Sequence, residues 1–357
     1  MSPRSLFALI ALLALALPSI AGAAPKADPH RATEEGLDGA ALYAQYCALC
    51  HGDDREGYAA DHAPSLRSPE LLGKASGGFL WNAVAHGRPG TAMAAFANDQ
   101  GGPLSHEAQH VLMDWLVESA GVRRKPVRAR DITGDVTVGA AVYQARCATC
   151  HGDRGQGGTG TALANPVTLA TVSDSFLHYT VRKGRSGTPM PSFQGDLTRA
   201  EIDAVVAFLR TRSVGWDAPE PVRVSPPDPS GAVRNPDAPP ATLDHREGRF
   251  VSAASVAAAL EAGQRMVLLD ARPMSDWQRA HLPGALPVPF YDGIDAIVPH
   301  LPKDGTPIIA YCACPHAASG RIVDALQERG YDAARILDEG VLFWTAQGYP
   351  IELGGSP

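Results

Sequence analysis

The sequence predicts a multidomain protein, with two similar all-α units followed by one α/β unit built on a central parallel sheet. Three observations carry this. A self-similar segment recurs 100 positions apart within the first 215 residues. A proline-rich stretch over residues 214–247 then interrupts the chain, with Pro219, Pro221, Pro226, Pro227, Pro229, Pro236, Pro239 and Pro240 and few apolar residues. Beyond it, helical periodicity gives way to short apolar runs alternating with helical stretches.

The 357 residues carry a net charge of -7, too mild and of the wrong sign for a nucleic-acid footprint. Arg123, Arg124, Lys125, Arg128 and Arg130 form a basic run in an apparent connector over residues 121–134. It reads as a solvated linker or as a docking surface for an acidic redox partner. The chain opens with Arg4, an apolar run over residues 6–17, Pro18 and Ala21-Gly22-Ala23, the pattern of a secretory signal cut ahead of Ala24. A membrane helix needs about 20 apolar residues. The expectation is therefore a signal peptide over residues 1–23 and no transmembrane span after cleavage; an uncleaved anchor is the alternative.

Each repeat begins with glycine and tyrosine four residues apart, Gly39 and Tyr43, then Gly139 and Tyr143, which places them on one helix face. That face is expected to lie beside whatever the next segment binds. Cys47-Ala48-Leu49-Cys50-His51 and Cys147-Ala148-Thr149-Cys150-His151 follow, and CxxCH is the spacing of covalent c-type haem attachment. Two thiols one helical turn apart can add to the two vinyl groups of one porphyrin, and the adjacent histidine reaches the iron. A disulfide-exchange reading leaves both histidines unexplained, and a zinc site needs four ligands where each cluster offers three. Two covalently bound haems c are expected, on Cys47, Cys50, Cys147 and Cys150, with His51 and His151 as axial ligands. Four of the six cysteines are thereby used, leaving Cys312 and Cys314 and no disulfide framework. Each half closes with a helix, the first N-capped by Ser105, the second by a Thr198/Glu201 capping box ahead of Ile202, Val205, Val206 and Leu209.

On these motifs, residues 36–120 and 135–213 resemble class I cytochrome c domains. The resemblance implies a second axial ligand, a methionine in a loop before the last helix. Met93 in Gly87-Arg88-Pro89-Gly90-Thr91-Ala92-Met93 and Met190 in Gly184-Arg185-Ser186-Gly187-Thr188-Pro189-Met190-Pro191 lie 42 and 39 residues after their histidines. His62, His86 and His106 are the alternatives in the first half. The resemblance also implies that a proline carbonyl, from Pro64 or Pro166, orients each proximal imidazole. It places the protein in the periplasm, where haem c is attached, and implies electron exchange with redox partner proteins.

In the third unit, residues 266–269 and 308–311 read as buried strands, and residues 321–329 as a helix stopped by Gly330. Asp270-Ala271-Arg272, Trp277, His281-Leu282-Pro283-Gly284-Ala285, Cys312 after a strand, Gly340 to Trp344 and Gly348-Tyr349-Pro350 resemble a rhodanese domain over residues 248–353. The resemblance implies that Cys312 is a nucleophile forming a persulfide, its thiolate held by loop N–H groups and a helix N-terminus. Asp270, Arg272 and His281 read as structural. The loop Cys312-Ala313-Cys314-Pro315-His316 lacks the family's arginine and glycine, and Pro315 removes one N–H donor. His316 or a second thiol, Cys314, is expected to supply what is missing. Three functions follow: a periplasmic dihaem electron carrier whose third domain handles a small sulfur compound, a carrier with a non-catalytic docking module, or a thiosulfate sulfurtransferase.

Overall fold

A computed structural model describes residues 36–216, 226–313 and 316–354. The signal sequence, Pro219, Pro221, Cys314 and Pro315 lie outside the described residues.

The first helical unit holds α1 (Gly39–Tyr46), α2 (Ala48–His51), α3 (Pro69–Lys74), α4 (Gly77–Ala85) and α5 (His106–Ser119). The second repeats the order with α6 (Val136–Arg146), α7 (Ala148–His151), α8 (Pro166–Thr171), α9 (Asp174–Lys183) and α10 (Arg199–Arg210). Side-chain caps start most of them: Asp38, Ser68, Ser76 and Ser105 in the first unit, Asp135, Asn165, Ser173 and Thr198 in the second. Each such cap stabilises its helix by about 1 kcal/mol. The Thr198/Glu201 capping box is formed in both directions.

The first helix of each unit crosses the last. A Cβ at Gly39 would run into Trp115 on α5, and one at Gly139 into the Ala204 carbonyl of α10, with Phe208 Cβ 2.9 Å away. The shared face of Gly39 and Tyr43, and of Gly139 and Tyr143, therefore meets a helix rather than lying beside the bound group. Spacing of four tells which residues share a face, not what the face meets. Tyr43 and Tyr143 fill the crossing against Trp115 and Phe208, ring centroids 5.2 Å apart in both. Their hydroxyls donate to the carbonyls of Gly52 at 2.6 Å and Gly152 at 2.8 Å, tying each crossing to the turn after its CxxCH helix.

The third unit is a parallel sheet in the order β1-β5-β4-β2-β3. Its strands are β1 (Phe250–Val251), β2 (Val267–Asp270), β3 (Leu286–Pro287), β4 (Ile308–Tyr311) and β5 (Ala334–Leu337). Both faces are covered by α11 (Ala253–Glu261), α12 (Met274–Arg279), α13 (Ala317–Gln327) and α14 (Gly340–Ala346). Every residue of β2 and β4 is buried, as continuous apolar runs require. Gly330 takes the left-handed conformation, φ 83°, just past α13.

The proline-rich stretch is only in part a linker. Residues 226–248 belong to the third unit: Ala232, Ala241 and Leu243 are buried in its cores. Arg234 N donates to Met266 O, and Ala241 N to Arg265 O, both at 2.9 Å. Prolines impose extension, and an extended chain is also what lies down along the edge of a sheet domain. The basic connector is likewise pinned: Lys125 N and Val127 N donate to Gly73 O and Lys74 O, and Arg130 pairs with Asp203 at 2.7 Å.

The units pack on one another. Between the helical units, Phe79 and Phe176 meet at 5.9 Å, Asn165 Nδ2 donates to Pro89 O at 2.9 Å, and Ser186 donates through N and Oγ to Glu70. The first unit also packs on the third: Ser275 Oγ donates to Ala95 O at 2.6 Å, Tyr46 meets Tyr291 at 5.1 Å, and α2 contacts α13. Among the described residues no helix is long and apolar enough to cross a membrane.

Candidate haem and cysteine sites

The two CxxCH segments are conformational copies. Cys47 (φ -119°, ψ -36°) and Cys147 (φ -120°, ψ -35°) end the first helix of each unit and begin the short helix carrying the second cysteine and the histidine. His51 Nδ1 lies 2.8 Å from Pro64 O, and His151 Nδ1 lies 2.8 Å from Thr161 O. A carbonyl can only accept, so each Nδ1 carries the proton and each Nε2 keeps its lone pair. Burial drives His51 down to about 4, and the Arg88 charge adds to this against the Pro64 carbonyl. Burial lowers His151 likewise, with Arg185 adding. Both rings are therefore neutral at pH 7, the form that binds a metal. Pro166 does not do for His151 what Pro64 does for His51. It is the first residue of α8, behind the Asn165 cap, and Thr161 in the loop ahead of it supplies the carbonyl.

Met93 and Met190 end two matching hairpins. Arg88 N donates to Met93 O at 2.7 Å, and Arg185 N to Met190 O at 3.1 Å. Thr91 Oγ1 and Thr188 Oγ1 each donate to their arginine's carbonyl at 2.8 Å and accept from their methionine's N at 3.2 Å. Gly87 (φ 63°) and Gly184 (φ 68°) open the hairpins where a side chain would strike the returning strand. Of the alternative ligands, His106 packs its ring on Trp81 and His110, and His86 packs on Trp216. His62 sits at φ 50° in the loop after the first cluster.

Cys312 follows β4, with its Sγ 3.3 Å from Ser319 Oγ in α13. The His316 ring donates from Nε2 to Asp338 O at 2.7 Å and packs on Phe250 at 4.5 Å. What His316 gives the cysteine is its backbone N–H, not an imidazole. Burial raises the Cys312 thiol above its ordinary value, outweighing the Ser319 and His316 hydrogen bonds, and Asp61 of the first helical unit raises it further. Asp61 and Cys312 likewise raise Cys50, which burial pushes up to about 12. The first CxxCH helix therefore lies against the Cys312 loop, and Leu49 shares a groove with Arg249, His316 and Arg321. Asp270, Arg272 and His281 are tied elsewhere. Asp270 binds Arg272 and the Tyr311 hydroxyl at 2.6 and 2.7 Å, and His281 stacks on Trp277.

Residues 34–105 and 134–209 match the family described as cytochrome c oxidase, cbb3-type, subunit III, and residues 252–347 match the rhodanese-like domain. The chain is a cytochrome c with two such segments and a rhodanese-like domain. Over 195 residues it is 28% identical to a cbb3-type cytochrome c oxidase subunit CcoP of Azospirillum sp. (strain B510), covering 50% of this chain and 62% of that protein. Cytochrome c6 of Synechococcus sp. is 31% identical over 86 residues, 22% of this chain and 71% of that protein. The rhodanese-like domain of the Anabaena sp. Alr3790 protein is 26% identical, covering 31% of this chain and 86% of its own, at a TM-score of 0.28. The chain thus spans 62% of the length of the oxidase subunit.

The donor set of each cytochrome c domain fits haem c: two cysteines one turn apart, a neutral imidazole with Nε2 free of the proton, and a methionine on a braced hairpin. Sequence reasoning missed Arg88, Arg185 and Asp61. The arginines stood in plain view at matching positions of the two methionine loops, and Asp61 has no local signal. Because Asp61 adds to the burial that raises the Cys312 thiol, Asp61→Asn should lower that pKa. Alkylation of Cys312 by iodoacetamide, followed by peptide mass spectrometry across pH 7–10, should begin at lower pH in the variant. Superposed profiles would show that Asp61 exerts no field there.

Proposed function

We propose that this protein is a periplasmic electron carrier with two covalently attached haems c and a rhodanese-like domain that handles a reduced sulfur compound at Cys312. Cys47, Cys50, Cys147 and Cys150 hold the haems, and His51 with Met93, and His151 with Met190, are the axial pairs. Haem c supplies a one-electron iron couple, and thioether ligation favours its ferrous form. Secretion rests on the signal pattern of residues 1–23.

The observation that supports the sulfur role is the packing of the Cys50 helix on the Cys312 loop, which sets Cys312 near the first CxxCH segment. The Ser319 hydroxyl and the Ser319 and His316 N–H groups are what this loop offers a sulfur anion. The test uses oxidised holoprotein and visible spectra recorded on adding sulfide, thiosulfate or an organic persulfide, for the wild type and Cys312→Ser. Haem reduction that is lost in Cys312→Ser is the expected result. Identical traces would favour the second reading, a non-catalytic docking module. One observation favours that reading: Cys312 is only 5% exposed and packs in the core of the third unit.

A further inference from the structure

The two methionine hairpins are braced alike, but their surroundings differ. After Met190 the chain runs through Pro191, Ser192, Gln194 and Gly195, all exposed. The hydrogen bonds described for this stretch stay within the second domain. After Met93 the chain runs through Ala94, Ala95, Phe96 and Ala97, all buried, Ala95 completely. The third unit meets this stretch directly. Ser275 on α12, itself buried, donates its hydroxyl to Ala95 O at 2.6 Å. Ala92, just ahead of Met93, packs against the third unit's core. Farther on, Gln278 of the same helix lies against Gly101, where an added Cβ would come within 2.3 Å of its Oε1.

A six-residue helix such as α12 does not hold its place by itself; a buried network fixes it. Arg272 Nη2 donates to Asp270 Oδ2 at 2.6 Å and to Ala280 O at 2.7 Å, bridging the two ends of the helix. Trp277 Nε1 donates to Ala285 O at 2.8 Å. The Tyr311 hydroxyl donates to Asp270 at 2.7 Å, so β4 anchors the same network. A fixed element of the third unit thus grips the chain two residues past Met93.

We propose that the rhodanese-like domain clamps the methionine loop of the first haem. Ser275 is the positioning residue: its bond to Ala95 O holds Met93 on its iron. Met190 is held by its own hairpin alone and gives way more readily to an outside ligand. The proposal rests on the axial pairs given above, and it needs no sulfur chemistry at Cys312.

The experiment titrates ferric holoprotein with imidazole and follows the methionine–iron charge-transfer band, with haem counted per chain as the pyridine haemochrome. The wild type should lose the band in two phases. In Met190→Ala only the resistant phase should remain, which assigns it to the first haem. In Ser275→Ala the buried Ala95 carbonyl loses its donor, so the resistant phase should move roughly tenfold to lower imidazole while the other stays in place. Ser275→Thr keeps the hydroxyl and should restore the resistance, a pattern that lost packing alone would not produce. Amide exchange of the unaltered holoprotein tests the clamp without a variant: residues 94–100 should exchange more slowly than residues 191–197. A single phase in the wild type, a resistant phase unmoved in Ser275→Ala, or equal exchange in the two stretches would overturn the clamp. A wild type with no methionine–iron band, or with fewer than two haems, would instead overturn the axial assignment beneath it.

Discussion

Met190→Ala should lower the potential of the second haem by roughly 0.1 V or more, a fraction of the ~0.8 V over which axial ligands set haem potentials. The thioether is the softer ligand and stabilises ferrous iron; water or an adventitious base in its place does not. Met93→Ala should do the same to the first haem. The hairpins predict equal behaviour, because the same four hydrogen bonds brace both methionines. Ala94 follows Met93 where Pro191 follows Met190, and this difference leaves the bracing unchanged. Potentiometry with the ferric spectrum recorded alongside decides the matter. A Met93→Ala protein with wild-type potentials and spectrum would transfer the ligand role to one of His62, His86 or His106.

The second large effect is on stability. Gly139→Leu should destabilise the second cytochrome c domain by about 3 kcal/mol or more, because the new Cβ meets a backbone carbonyl that no rotamer change can move. Gly39→Leu meets Trp115 Cβ, which is fixed to the α5 backbone, so its cost in the first domain should be of similar size. Guanidinium denaturation followed at the two Soret contributions would compare them. Equal midpoints for Gly139→Leu and the wild type would mean that α6 and α10 do not cross at this glycine.

Much of this was legible in the sequence because the signals are local. CxxCH is a covalent requirement, the capping box is a four-residue pattern, and buried parallel strands announce themselves as unbroken apolar runs. The matching loops before Met93 and Met190 were visible as repeats. What was not legible depends on contacts between distant segments. No spacing rule tells that Thr161 rather than Pro166 faces His151, since the carbonyl belongs to any residue type. Residues 226–248 look like a spacer in composition, and only their hydrogen bonds to Arg265 and Met266 and their buried apolar side chains show otherwise. The part of His316 at Cys312 was hidden for a related reason: it contributes through its backbone, and side-chain reasoning does not see backbone donors. Asp61 acts on Cys312 from another domain altogether.

The packing of α2 against α13 also sets a kinetic regime. Two sites joined by diffusion meet at a rate that depends on concentration, on long-range charge and on salt. Two sites held in one fold meet at an effective concentration fixed by geometry, whatever the bulk solution contains. On the reading proposed above, exchange between the Cys312 loop and the Cys50 helix would be insulated from dilution and ionic strength. Only traffic with molecules outside the chain remains open to them.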